Sequence, residues 1–159
     1  MNLTRLRSIL EQEANQADRS KLSLLEKLHE FFQEERRADP QLGRIMELLE
    51  ARDQLPVAFS RFNMQDLSRR VGLMSWKKKA SVVQSIESIV EDCTTVSGGD
   101  CDKCMGDELV YMWDLHCGKL VKCCLLCSAT LDLVGTEVVR PLELIDATEL
   151  QLREAGAIG

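Results

Sequence analysis

Six of the chain's seven cysteines fall between Cys101 and Cys127, in the stretch CDKCMGDELVYMWDLHCGKLVKCCLLC. A thiol can be half of a disulfide, a redox centre, a nucleophile or a metal ligand, and each role demands a different setting. An odd cysteine count argues against a closed set of intramolecular disulfides. No run approaches the roughly 18 apolar residues of a membrane span, and the opening MNLTRLRSILEQEANQ lacks the apolar core and cleavage site of a signal peptide. The expected location is the cytoplasm, where thiols stay reduced.

At 159 residues the chain suits one domain, or a helical body carrying a small module. Its 45% hydrophobic and 29% charged residues form an ordinary globular balance, which argues against a disordered or a membrane chain. A net charge of -6 offers no global attraction to nucleic acid or anionic lipid. One segment departs from it: residues 61–80, RFNMQDLSRRVGLMSWKKKA, hold Arg61, Arg69, Arg70, Lys77, Lys78 and Lys79 against the single Asp66. Any contact with a polyanion is expected there.

The first part reads as helices. Leu22, Leu25, Leu28, Phe31 and Phe32 recur at three- and four-residue spacing, as one buried helix face requires. Ser23 and Glu26 have capping-box spacing, although the apolar pattern starts a little earlier. Asp39-Pro40 ends this helix, and a short one follows with Leu42, Ile45, Met46 and Leu49 on one side. Beyond Pro56, two helices broken at Gly72 are expected, the second capped by Ser75 and carrying Val82, Val83, Ile86, Ile89 and Val90 towards Cys93. TTVSGGD then reads as a turn-rich junction between a helical domain, 1–95, and a module, 100–159. ATLDLVGTEVVRPLELI predicts one or two short strands, and DATELQLREAG a closing helix capped by Asp146 with Glu149, stopping at Gly156. The fold class is therefore α+β.

Cys101 and Cys104 form one Cys-x-x-Cys pair, and Cys124 and Cys127 a second. Thiolates at this spacing can turn towards one ion from a tight knuckle, and two knuckles fill a tetrahedral shell. Gly106 lies just past the first pair, and Ser128 and Ala129, both small, follow the second. Between them DELVYMWDLHCGKLVKC has the pattern of a β-hairpin turning at Cys117-Gly118.

Two knuckles joined through a hairpin resemble a zinc ribbon, and the resemblance covers Cys101 to Cys127 alone. It implies one structural Zn2+ held by Cys101, Cys104, Cys124 and Cys127. Zinc ribbons are common in transcription, translation and other nucleic-acid machinery, and also serve as plain folding staples. The competing readings are ordinary buried cysteines, an iron–sulfur cluster, which lacks a recognised spacing here, and a dithiol redox centre, which lacks a βαβ setting. Cys123 should face away from Cys124 in a continuous strand. His116 and Cys117 lie at the proposed tip, and a displaced turn would let either replace one of the four.

No enzymatic motif stands out. HEFFQ, His29 to Gln33, lacks the second histidine of a zincin, and Phe31 and Phe32 place it on a packed helix. Phosphate-cradling glycine loops, a nucleophile elbow and the zinc-deaminase signature are missing, and Cys93 sits at the end of an apolar stripe. Four thiolates would fill the position that a catalytic zinc keeps open.

The expectation is thus a non-enzymatic, zinc-binding regulatory protein that binds a macromolecule, with neither a membrane nor a small-molecule substrate as partner. MQDLSRRVGLMSWKKKASVVQSI resembles a helix-turn-helix, with Lys77, Lys78 and Lys79 at the start of its second helix and Arg61, Arg69 and Arg70 beside neighbouring phosphates. That favours transcription machinery or DNA. A solvated basic face pairing with the chain's own acids is the plain alternative. The other functional reading is an acidic inhibitor, such as a bacterial immunity protein, that covers a basic toxin.

Overall fold

A computed structural model describes residues 1–16, 20–35, 42–105 and 108–159. The fold is α+β, with helices mainly in the N-terminal part and a small antiparallel sheet in the C-terminal part. It divides into two compact units: residues 1–53 with 62–93, and residues 54–61 with 94–159. Among the described residues, no helix is long and apolar enough to cross a membrane. The Asp39-Pro40 break and Gly106 lie outside the described residues.

The first unit contains helices α1 (Leu3–Asn15), α2 (Lys21–Glu35), α3 (Gly43–Ala51), α4 (Leu67–Leu73) and most of α5 (Lys79–Thr94). Buried side chains recur at helical spacing: Leu6 and Leu10 on α1, then Leu24, Leu25, Leu28, Phe31 and Phe32 on α2. Phe31 and Phe32 meet edge to face at 5.1 Å between ring centres. The stripes expected on α3 and α5 are buried as well. Leu22 is exposed and Leu24 buried instead, because the buried face steps through Leu24, Leu28, Phe31 and Phe32 at three- and four-residue intervals and leaves Leu22 outside it. The Ser20 hydroxyl accepts from the Ser23 amide at that end, while the Ser23 hydroxyl donates to the buried carboxylate of Glu13. Gln16 and Lys27 also donate to Glu13, which satisfies a charge that burial would otherwise penalise.

Two expectations in the basic segment are corrected. Gly72 lies inside α4, and the break comes at Met74–Lys78. Ser75 does not cap α5: its carbonyl accepts from the Lys78 amide in a turn, and the helix starts at Lys79. The indole of Trp76 donates to the Val71 carbonyl, which anchors this connection to the end of α4.

The second unit is built on a hairpin, β2 (Glu108–Asp114) and β3 (Lys119–Cys124), turning through Leu115–Gly118. Gly118 takes φ +61° and its amide donates to Asp114, so the turn sits where the Cys117-Gly118 signal placed it. Strand β4 (Thr130–Leu131) pairs with β3, while β1 (Ser97–Asp100) and β5 (Leu144–Asp146) share the other edge of β2, one beside each half. SGGD is therefore a strand and not a turn. Its glycines serve a bulge between Ser97 and Gly99 and a close approach at Gly98, where a Cβ would lie 3.0 Å from the Lys122 side chain.

Helix α6 (Glu149–Glu154) closes the chain. Its capping box is Thr148 with Gln151, two residues beyond the expected Asp146 and Glu149, because Asp146 is still paired in β5. At its far end Gly156 (φ +69°) and Ala157 donate to Arg153 and Leu152, a Schellman stop at the expected glycine.

At the hairpin tip, the buried carboxylate of Asp114 accepts from the Cys117 thiol at 3.0 Å, from Arg140, and from the His116 amide. These donors, the thiol foremost, hold it at about 2 against the opposing effect of burial. A carboxylate depressed below its ordinary 3.8 contributes stability that is whole above about pH 4 and is lost as pH falls towards 2. Urea denaturation of the metal-replete protein at neutral pH is expected to show Asp114→Asn about 1–3 kcal/mol less stable than the wild type, and equal stability would remove Asp114 as an anchor of the hairpin.

Candidate metal centre

Sheet pleat and register bring the cysteines together. Leu109 pairs with Cys124, Tyr111 with Lys122 and Trp113 with Leu120, so these six side chains share one face of the hairpin. Cys101 follows β1, and Leu109, Ala129, Cys101 and Cys124 form a buried cluster against which Cys104 packs. Cys127 lies three residues beyond the end of β3.

Cys101 Sγ is 3.7 Å from Cys127 Sγ and Cys104 Sγ is 3.6 Å from Cys124 Sγ, each contact crossing from one knuckle to the other. All four sulfurs lie within 4.8 Å of one another. A disulfide needs a separation of about 2.05 Å, and all seven cysteines are free. A tetrahedron of sulfurs around an ion at about 2.3 Å, the zinc–thiolate length, has edges of about 3.8 Å. The donor set therefore fits a single metal ion with four thiolate ligands.

Both knuckles use the same backbone device. The Met105 amide donates to the Cys101 carbonyl at 2.9 Å, and the Ser128 amide to the Cys124 carbonyl at 2.9 Å. Met105 (φ +49°) and Ser128 (φ +59°), each just after the second cysteine of its pair, occupy the left-handed region. Neither carries the glycine that would do so most cheaply, so this position was not legible from residue type.

Electrostatics ties the four thiols together. The Cys127 amide donates to Cys124 Sγ at 3.5 Å, and this bond leads the effects that hold the Cys124 thiol down to about 7. Cys127, although the Ala129 amide lowers it, is pushed up to about 12 by burial and by the neighbouring sulfurs. Four sulfurs this close cannot all ionise unless a cation shares their charge, which couples metal uptake to proton release.

The remaining cysteines stand apart from this group. Cys123 faces the other side of β3, where the Thr130 hydroxyl lies 3.7 Å from its sulfur. Cys117 and His116 are held at the hairpin tip by Asp114, with the Arg140 guanidinium 2.9 Å from Cys117 Sγ. Arg140 carried no sequence signal, being far from the tip along the chain. Cys93 is fully buried in the first unit, and burial pushes its thiol up to about 12, the state of a packing residue.

The basic residues are divided between the units. In the second unit Arg61 pairs with Glu108 at 3.7 Å. In the first, Arg70 pairs with Asp92 at 2.7 Å and lies over the Phe62 ring, and Arg69 faces Asp66 at 3.7 Å. Lys77, Lys78 and Lys79 are exposed around the start of α5.

Comparison with protein-family models, curated proteins and solved structures finds no match to this chain. Left-handed backbone at a non-glycine residue costs about 1–2 kcal/mol, and a new glycine loses about 0.5–1 kcal/mol in chain entropy. Ser128→Gly is thus expected to stabilise the metal-loaded protein by about 0.5–1 kcal/mol in urea denaturation, and a loss of stability would show that the knuckle needs the serine itself.

Proposed function

We propose that the chain is a non-enzymatic zinc-binding regulatory protein that works by binding another macromolecule. The observation carrying this reading is the closed shell of Cys101, Cys104, Cys124 and Cys127. Four soft sulfur donors within 4.8 Å of one another suit zinc, and their mutual closeness leaves room for one ion and not for a cluster of several irons and sulfides. With all positions taken by sulfur, the ion's role is structural: its bonds supply folding energy to a small unit. Metal analysis of the purified, metal-replete protein is expected to give one zinc per chain, lost in Cys124→Ser or on chelation together with the sheet signal. A folded preparation holding less than one metal per chain would defeat the proposal.

The setting we favour is transcription or a related nucleic-acid process, with a protein of that machinery as the main partner. Arg61, Arg69 and Arg70 face carboxylates of their own units, and the DNA contact in this reading is made by the exposed Lys77, Lys78 and Lys79. If those lysines meet phosphates, neutralising all three to Gln should weaken duplex binding and reduce the salt slope by about three, at about 0.9 per phosphate. Unchanged binding would remove DNA from the reading. The charge of -6, with these arginines engaged internally, supports the second reading of an acidic inhibitor of a basic protein. Capture from native cells separates the two: polymerase subunits or DNA support the first, one basic partner the second.

A further inference from the structure

Charge and exposed apolar surface are both concentrated in the second unit. That unit holds eleven acidic and six basic residues, a net charge of -5, while the first holds fifteen and fourteen, a net charge of -1. Among the described residues, ten of the twelve large exposed hydrophobic side chains also belong to the second unit. An acidic surface that leaves so much apolar area in water is organised for a partner with the opposite charge and an apolar anchor.

The same unit contains a groove that would receive such an anchor. It measures about 440 Å³ and runs between the hairpin, the loop after β4 and α6, with Trp113, Leu120, Leu133, Val134 and Ala155 as its apolar walls. Val134 is 88% exposed and Leu133 40% exposed, so one wall stands in solvent. Asp132, Glu154 and Lys119 are its charged lining residues, two carboxylates to one ammonium. Asp132 is fixed by accepting from the Val134 and Thr136 amides, while Glu154 is exposed on the last turn of α6. Trp113 and Leu120 share the hairpin face that carries Cys124 at its other end, so the floor of the groove is set by the same register as the sulfur cluster.

We propose that this groove binds a segment of another protein in which a large apolar side chain is flanked by lysine or arginine. The proposal rests on the protein-binding reading above and specifies its site. The apolar residue fills the space against Trp113 and Leu120, and the flanking cations meet Asp132 and Glu154.

The test uses the zinc-loaded full chain to select from phage-displayed random short peptides, followed by nuclear magnetic resonance of the two tryptophan indoles. Selected peptides are expected to combine a large apolar residue with Lys or Arg and to shift the Trp113 indole signal while leaving that of Trp76 in place. Val134→Asp should weaken binding at least about tenfold, and Glu154→Gln severalfold. Acidic or uncharged consensus peptides, or no selection at all, would overturn the proposal. Peptides that bind without moving Trp113 and survive Val134→Asp would overturn it while leaving a protein-binding function intact elsewhere. A duplex oligonucleotide that shifts Trp113 in place of any peptide would overturn both the groove's assignment and the protein partner.

Discussion

The convergence of four cysteine sulfurs on one point is the constraint on which the second unit depends. Two of them come from a knuckle after β1 and two from the end of β3, so the strands can meet only in a register that places Leu109 opposite Cys124. A slip of one residue would turn Cys123 to that face and carry Cys124 away, because side chains alternate along a strand. The sulfurs thus act on the sheet much as a core does, through geometry imposed at one end. Their cohesion is electrostatic: adjacent thiolates repel unless a cation neutralises them.

From that register the rest of the unit follows. The hairpin face that ends in Cys124 continues through Lys122 to Leu120 and Trp113, where Leu152 of α6 and Ala155 and Ile158 after it pack against the same cluster. One end of the face is organised by sulfur and the other by apolar packing, with Gly98 lying close over Lys122 between them. At the tip, Asp114, Cys117 and Arg140 tie the turn to the loop before β5. The helical unit works differently. Its stability comes from buried leucines and phenylalanines, and its buried carboxylate Glu13 is tolerated because three donors surround it.

Much of this was legible in the residues. Helical spacing marked α2, α3 and α5, because one buried stripe leaves a period that survives in the chain order. The hairpin was legible from its apolar arms and Cys117-Gly118, and the sulfur group from its two Cys-x-x-Cys pairs. Local signals misled where a residue type has several uses. Gly72 is helical and Ser97–Asp100 is a strand, since glycine also serves bulges and close approaches. Ser75 and Asp146 have cap chemistry but lie in a turn and a strand, and Lys78 and Thr148 precede the helices instead.

The sequence by itself determined the α+β class, the main helix faces, the hairpin and the four cysteines, because each leaves a periodic or spaced trace along the chain. Tertiary structure alone decided that β1 and β5 share one edge of β2, that Arg61 and Arg70 are held by carboxylates, and that Arg140 reaches Asp114 and Cys117. It also placed Trp113, Val134 and Glu154 around one groove. These pairings join residues far apart in the chain, and whether two distant charges or apolar groups meet depends on how strands and loops pack, which no local spacing encodes.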